Sequence, residues 1–207
     1  MGWEELPGGF RRRVYESYEQ YLEVQGSKLG NKAGFAAKAS AGMHTGMIKR
    51  INQQKERLPE AGTVICLGAR LGGEVSAFLQ CGYFAVGVDV NPGEKNEFVL
   101  YGDFHELSFP AQSTDVVYTN SLDHVLDIDK VLGEVTRVLK PGGIFYVEAK
   151  GGVAEPDGRS ARSDGYDCME WLTLEGFVDY IASKGFCVLD RYKTKGFTPW
   201  GIVYRKI

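Results

Sequence analysis

The chain has 207 residues, of which 43% are hydrophobic and 25% charged, a composition that is ordinary for one soluble globular domain with an elaborated end. Its 24 lysines and arginines against 27 acids give a net charge of -3, which argues against bulk attraction to nucleic acid. Apolar runs fall far short of the ~20 residues of a membrane span, and no leader pattern opens the chain, so we expect a cytoplasmic location and no membrane partner.

The first part of the chain is rich in basic side chains and has little strand signal. Apolar residues at steps of three and four predict an amphipathic helix over residues 10–25, and the glycines predict a break over residues 26–34. A second helix, loosened by glycine, follows and reaches Ile51. Either this segment packs its own helical core, or its inner face covers a ligand. We expect residues 1–60 to form a helical extension or lid on a domain of residues 61–207.

Strands and helices alternate from Thr63 onward, which predicts a parallel sheet with helices on both faces. A long loop is expected over residues 150–170, followed by a helix that Thr173 caps and by two closing strands around a hairpin-like stretch. Cys66 and Cys187 fall in predicted buried strands, so both are interpreted as core residues. The predicted strands cover residues 63–68, 84–89, 97–101, 115–119, 144–148, 186–189 and 202–204, and the predicted helices cover residues 73–81, 128–139 and 174–181.

The first strand, turn and second strand of this series carry the most informative chemistry. Gly68 ends the first strand, where a side chain would block the approach of a ligand to the backbone. Asp89 lies 21 residues further on, at the tip of the second strand, where a carboxylate can accept hydrogen bonds from both hydroxyls of a ribose. This pattern suits a dinucleotide and S-adenosylmethionine equally well. Arg70, however, stands where the dinucleotide fingerprint needs its middle glycine, which counts against NAD.

Six short segments in order resemble one enzyme family. They read C-L-G-A-R-L-G, V-D, Y-G-D-F, F-P-A-Q-S-T-D-V-V, L-D-H-V-L-D and R-V-L-K-P-G-G, at residues 66–72, 88–89, 101–104, 109–117, 122–127 and 137–143. The chain resembles class I S-adenosylmethionine-dependent methyltransferases, of the group called methyltransferase type 11. The resemblance implies a Rossmann-like α/β fold with a seven-stranded, mostly parallel sheet whose last strand is antiparallel.

The resemblance also implies a set of residues that bind S-adenosylmethionine. Two of its motif positions depart from the family pattern: Cys66 replaces the usual acid, and Arg70 replaces a glycine. Glu74 or the Arg70 side chain could compensate for the missing acid. The predicted cofactor-binding residues are Gly68, Ala69, Arg70, Gly72, Asp89, Val90, Gly102, Asp103, Phe104 and Asn120.

Catalysis of methyl transfer needs positioning, exclusion of water and, for a hydroxyl acceptor, a base. His124 is the candidate base because it follows the fourth strand, at the ligand-facing rim of the sheet, and Asp123 is the second candidate. No metal site is expected. The interpretation is a small-molecule methyltransferase that O-methylates a sugar or secondary metabolite. The alternatives are an RNA or protein acceptor, or a non-catalytic binding protein with a degenerate site.

Overall fold

The computed structural model describes residues 2–31, 33–155, 165–195 and 198–207. Within these ranges, no helix has both the length and the apolar run needed to cross a bilayer. The helices are α1 (Tyr18–Asn31), α2 (Ala33–Gln53), α3 (Gly73–Gln80), α4 (Ile128–Val138) and α5 (Leu174–Ser183), with a single 3-10 turn at Leu122–His124. The strands are β1 (Trp3–Leu6), β2 (Phe10–Arg13), β3 (Thr63–Leu67), β4 (Phe84–Asp89), β5 (Val99–Tyr101), β6 (Thr114–Thr119), β7 (Leu139–Ala149), β8 (Met169–Trp171), β9 (Phe186–Lys193) and β10 (Trp200–Lys206).

The main sheet has seven strands in the order β5-β4-β3-β6-β7-β10-β9. Strands β3 to β7 of this sheet pair in parallel, whereas β10 lies antiparallel to both β7 and β9. The predicted seven-stranded, mostly parallel sheet with an antiparallel last strand is therefore confirmed. The strand order reverses beside β3, so β3 and β6 open a crevice at their carboxyl ends, where ligands of such sheets bind.

Alternate residues of the central strands feed two separate cores. Val64 and Cys66 of β3 pack on one face with α2 and α3, and Ile65 and Leu67 pack on the other face with α4 and α5. Each such buried side chain contributes roughly 1.5–3 kcal/mol. Helices on both faces are thus confirmed, as is the core position of Cys66. Cys187 is exposed, which corrects its predicted burial, because β9 is an edge strand with fewer neighbours.

The secondary structure predicted for the first part of the chain was partly wrong. Residues 10–13 form β2, which pairs with β1 and with β8, so the predicted helix over residues 10–25 forms only over residues 18–25, within α1. The partner strand β8 lies far along the chain, and a pairing of this range leaves no local pattern in the sequence. Helix α1 then runs through Gly26 and Gly30 without the predicted break. Contacts of α1 with the rest of the molecule outweigh the cost of about 1 kcal/mol for each helical glycine. The division at residue 60 stays a prediction.

Other boundaries follow the predicted ones more closely. Helix α4 ends at Val138, before Pro141, and β7 begins directly at Leu139 rather than at residue 144. Thr173 caps α5 as predicted, because its side chain accepts a hydrogen bond from the Gly176 amide. The predicted loop over residues 150–170 contains the start of β8, and residues 156–164 of it lie outside the described part. The stretch between β9 and β10 includes residues 196–197, which also lie outside it.

Candidate active site

A cleft opens at the carboxyl ends of β3, β4 and β6. Helix α1 forms one wall of this cleft, and the turns after the three strands form the other. One face of α1 therefore contacts the site, in agreement with the alternative in which the N-terminal segment covers a ligand. Its closure as a lid stays a proposal. The lining residues are Tyr21, Gln25, Lys28, Leu29, Gly68, Arg70, Asp89, Val90, Asn91, Phe104, Ser121 and His124.

The turn after β3 requires glycine at its first position. Gly68 has φ +70°, and a Cβ built on it would lie 2.6 Å from both Cβ and Oγ of Ser121. No side chain fits in that space, and the backbone conformation also favours glycine. The Gly68 amide donates to the carbonyl of Val88 at 2.9 Å, which ties the turn to β4. The turn therefore keeps its backbone open toward the cleft.

Arg70 has a left-handed backbone conformation that glycine adopts more readily. Its φ is +46°, in the left-handed region that costs a residue with a side chain about 1–2 kcal/mol. In this conformation the Arg70 amide points at Asp89 and donates to Oδ2 at 2.8 Å. The Arg70 backbone thus links the turn after β3 to the end of β4.

Asp89 ends β4 with a partly buried carboxylate that faces the cleft. Oδ1 accepts a hydrogen bond from the Asn91 amide at 2.8 Å, and Oδ2 accepts the one from Arg70. Burial raises the pKa of Asp89, although these two amides oppose the rise. A carboxylate has about four acceptor sites, so two remain for the hydroxyls of a ligand.

Asp103 is engaged within the protein instead of lining the cleft. Oδ1 accepts hydrogen bonds from Nδ1 of His105 at 2.7 Å and from the His105 amide at 2.8 Å. Oδ2 accepts one from the hydroxyl of Tyr18 in α1. Burial opposes ionisation, but these hydrogen bonds lower the pKa of Asp103. Asp103 therefore fastens α1 to the strand ends, and its contact with a cofactor stays a prediction.

The structure fixes the hydrogen bonds of both ring nitrogens of His124. Nζ of Lys28, from α1, lies 2.8 Å from Nε2, and the carbonyl oxygen of Tyr166 lies 3.0 Å from Nδ1. A carbonyl can only accept and an ammonium can only donate. His124 therefore carries its proton on Nδ1 and has the lone pair of Nε2 on the side of Lys28.

A buried charge cluster lies beside His124. Nζ of Lys150 lies 2.6 Å from Oδ2 of Asp123 and 2.8 Å from Oδ2 of Asp167. Burial disfavours the charged form of both carboxylates, but the neighbouring Lys150 ammonium lowers the pKa of Asp123. Burial and repulsion by Asp123 raise the pKa of Asp167. Against the effect of burial, the two carboxylates raise the pKa of Lys150, so its ammonium form is stabilised.

The same cluster offers the geometry of a cation site. Asp123, His124 and Asp167 each present a ligand atom, and these atoms lie within 4.8 Å of one another. The Lys150 ammonium, however, already lies between the two carboxylates and neutralises part of their charge. The absence of a metal stays a prediction.

Six of the twelve predicted site residues line the cleft, namely Gly68, Arg70, Asp89, Val90, Phe104 and His124. The other six lie behind or beside it. Ala69 packs in the core, Gly72 precedes α3, and Asn120 accepts a hydrogen bond from Ser121, while Gly102, Asp103 and Asp123 are held by neighbouring residues. Their roles stay predictions.

The sequence interpretation missed the residues that reach the site from distant parts of the chain. Tyr21 and Lys28 come from α1, and Asp167 comes from the segment before β8. Lys150 directly follows β7, and its position at the carboxyl end of a parallel strand was a usable signal. Tyr21 belongs to the predicted N-terminal helix whose inner face could cover a ligand. Lys28 and Asp167 carried no such signal, because their positions depend on how α1 and β8 pack.

Comparison with known proteins identifies the fold and the cofactor. Residues 65–147 match a family model described as a methyltransferase domain. The fold resembles that of Burkholderia thailandensis 1,6-didemethyltoxoflavin-N1-methyltransferase, solved with its substrate and S-adenosylhomocysteine, with a TM-score of 0.67 at 16% identity over 100% of this chain and 99% of that one. The resemblance to class I methyltransferases is confirmed. S-adenosylmethionine is the cofactor that these findings indicate.

Two further similar proteins show how much of each chain the similarity covers. A Thermotoga maritima S-adenosylmethionine-dependent methyltransferase, described as a possible histamine N-methyltransferase, has a TM-score of 0.63 at 17% identity over 89% of this chain and 99% of that one. Sterol 24-C-methyltransferase erg-4 of Neurospora crassa is 49% identical over 47 residues, which are 22% of this chain and 12% of the fungal protein. The match thus spans a small part of that curated relative's length.

The residues of the cleft fit S-adenosylmethionine. Gly68 keeps the turn free of a side chain, which would collide with Ser121, and Asp89 retains acceptor sites at the end of β4, where a ribose would bind. Cys66, which replaces the family acid, is fully buried, and burial raises the pKa of its thiol. Glu74, the suggested substitute, is also buried and does not line the cleft. Its compensating role stays a proposal.

Proposed function

We propose that the protein transfers a methyl group from S-adenosylmethionine to a small-molecule acceptor, with a hydroxyl of a sugar or other metabolite as the methylated group. The observation that carries this proposal is one cleft that combines the glycine turn at Gly68, the carboxylate of Asp89 and the imidazole of His124. Small-molecule acceptors are also named for two of the similar proteins, a sterol and a toxoflavin precursor.

The chain's own residues supply binding, orientation and a base. Asp89 binds the ribose hydroxyls, and the turn at Gly68 and Arg70 holds the remainder of the cofactor against the backbone. When bound, S-adenosylmethionine supplies a sulfonium whose methyl carbon accepts a nucleophile as its bond to sulfur breaks. Nε2 of His124 would take the proton of the acceptor hydroxyl, which would displace the contact of His124 with Lys28.

Cofactor binding is tested first, by calorimetric titration with S-adenosylmethionine and S-adenosylhomocysteine. We expect micromolar affinity in the wild-type protein and a loss of at least tenfold in Asp89→Ala, since hydrogen bonds to charged groups contribute about 1.5–3 kcal/mol each. Asp179→Asn, an exposed acid on α5, is the matched control and should bind normally. The absence of binding by the wild-type protein would contradict the proposal.

Turnover is tested next, by formation of S-adenosylhomocysteine on a panel of hydroxyl-bearing metabolites. His124→Asn should retain cofactor binding and lose roughly 10²–10⁴-fold in kcat if His124 is the base. Cofactor binding without turnover on the whole panel would favour the non-catalytic alternative. Turnover only on RNA or protein would favour the alternative in which the methyl acceptor is a macromolecule.

A further inference from the structure

The inner face of helix α1 fills most of the cofactor cleft with its own side chains. Tyr21, Lys28 and Leu29 of this helix line the cleft, and the space in it that the centre of a water molecule can reach is about 40 Å³. One ordered water needs roughly 10–15 Å³ of such space, so about three waters fit. S-adenosylmethionine, which joins a nucleoside to a methionine, is far larger. With α1 in this position, the cleft therefore has no room for the whole cofactor.

Two contacts of α1 involve the groups that are predicted to bind the cofactor. The hydroxyl of Tyr18 donates to Oδ2 of Asp103, a predicted cofactor-binding residue. The carbonyl of Gly26 accepts a hydrogen bond from Nδ2 of Asn91 at 2.5 Å, and the amide of Asn91 donates to Asp89. Helix α1 thus engages one oxygen of the Asp103 carboxylate and closes the cleft directly beside the carboxylate of Asp89.

The same helix also contacts the candidate base. Nζ of Lys28 lies 2.8 Å from Nε2 of His124, the atom that would take the proton of an acceptor hydroxyl. Two helical turns earlier, the hydroxyl of Tyr21 donates to the backbone carbonyl of His124 at 3.1 Å. Because one helix makes all these contacts, its movement away from the strand ends would release Asp103 and Nε2 of His124 together.

The attachment of α1 to the rest of the molecule is mostly polar. Among residues 18–30, only Tyr21 and Lys28 are buried. Hydrogen bonds contribute little net stability, because water can replace either partner when the helix moves. Gly26 and Gly30, within the helix, lower its intrinsic stability further. An element with few buried apolar contacts opens at a lower free energy than the core, so α1 can move while the sheet stays folded.

We propose that α1 is an autoinhibitory gate, which competes with S-adenosylmethionine for the cleft and moves away from the strand ends before the cofactor enters. Tyr18 and Lys28 hold the gate closed. The proposal rests on the proposed function for the identity of the cofactor. A lid that closes over a bound cofactor would have the opposite effect on affinity, because its contacts would stabilise the complex instead of the free protein.

Substitutions that weaken the closed state should therefore raise the affinity for S-adenosylhomocysteine, as measured by calorimetric titration. Tyr18→Phe removes the hydrogen bond to Asp103 and should bind about fivefold more tightly than wild type, because the apparent Kd falls as the open fraction rises. Tyr18→Phe combined with Lys28→Met should bind at least about tenfold more tightly. Thermal unfolding verifies that each variant is folded.

Tyr180→Phe is the matched control for the loss of a tyrosine hydroxyl. Tyr180 also donates to an aspartate, Asp129, at 2.7 Å, but neither residue lines the cleft. Its affinity should equal that of the wild-type protein. Equal or weaker binding by Tyr18→Phe and by the double variant would overturn the gate, and weaker binding would indicate a lid that closes over the bound cofactor.

Amide hydrogen exchange of the wild-type protein tests the movement without any substitution. S-adenosylhomocysteine should accelerate exchange in residues 22–30, because a short helix with two glycines frays once its tertiary contacts are lost. The amides of α5, whose residues do not line the cleft, are the internal reference. Slower or unchanged exchange in α1 on saturation with S-adenosylhomocysteine would also overturn the gate.

The proposed function and the gate can fail separately. Absence of S-adenosylhomocysteine binding in the wild-type protein and in the double variant alike would contradict the proposed function. Normal binding by the wild-type protein, with no gain of affinity in Tyr18→Phe or the double variant, would contradict the gate alone.

Discussion

Lys28 and His124 are 96 positions apart in the chain, and their side-chain nitrogens lie 2.8 Å from each other. This contact joins α1 to the turn after β6 at the candidate base. The Tyr166 carbonyl accepts a hydrogen bond from the other ring nitrogen, Nδ1. A neutral imidazole satisfies both contacts only when its proton is on Nδ1.

We expect ¹⁵N-labelled protein to show the neutral His124 ring as the Nδ1–H tautomer. Lys28→Met should keep this tautomer, because the Tyr166 carbonyl still accepts from Nδ1, but it should change the Nε2 resonance. Two-bond ¹⁵N–¹H correlation spectra measure both. A wild-type Nε2–H tautomer would contradict the assignment, and His44, which lies outside the cleft, serves as an internal reference.

From the left-handed backbone conformation of Arg70 we expect the protein to be more stable with glycine at this position. Arg70→Gly should raise the free energy of unfolding by about 1 kcal/mol, because it relieves the left-handed strain and keeps the amide that Asp89 accepts. Denaturant titration measures this change. Arg70→Ala is the control, because alanine keeps the strain, and equal stability of the two variants would refute the explanation. If the guanidinium binds the cofactor, both variants should also bind it more weakly.

Glu74 predicts a pH-dependent stability. Its burial raises the pKa of the carboxyl from an ordinary 4.5 to about 8. Between these values the folded protein holds a proton that the unfolded chain has released, so stability falls as the pH rises through this window. Glu74→Gln removes the titration and should be more stable than wild type by roughly 4 kcal/mol at pH 8, and by less than about 1 kcal/mol near pH 5.

Chemical unfolding at both pH values measures the effect of Glu74. Glu60→Gln changes an exposed acid and should alter stability equally little at either pH. A stability difference for Glu74→Gln that is the same at pH 5 and pH 8 would rule out titration of this carboxyl as its cause.

We expect a large loss of folding stability when the ammonium of Lys150 is removed from the buried charge cluster. Lys150→Met should destabilise the protein by roughly 3–5 kcal/mol at neutral pH, because it leaves two buried carboxylates unpaired. The cost should shrink in acid, where Asp123 and Asp167 bind protons. Lys140→Met is the matched control, since that lysine is 43% exposed in its pair with Asp115 and such pairs contribute about 0–1 kcal/mol. Comparable losses for the two variants at neutral pH would contradict the prediction.

The sequence predicted most of the fold after residue 60 because its signals there are local. Alternation along β3 to β7, the apolar steps of α4 and the Thr173 cap each depend on neighbours within a few residues. The glycine turn and Asp89 were also readable, since their spacing follows from one strand–helix–strand unit. Where a pairing partner lay far away, as for β2 with β8, the local pattern indicated a helix and was wrong.

The sequence by itself determined the parallel sheet, the turn at Gly68 and the acid at the end of β4, because backbone conformation and residue spacing fix them within one short unit. Only the tertiary structure decided that the Tyr18 hydroxyl donates to Asp103 and that the Lys28 ammonium contacts His124. It also decided that, among the described residues, no donor reaches Oδ1 of Asp167 beside Lys150. Each of these relations joins side chains from separate elements. Their distances depend on how α1 and β8 pack against the sheet, which no local pattern encodes.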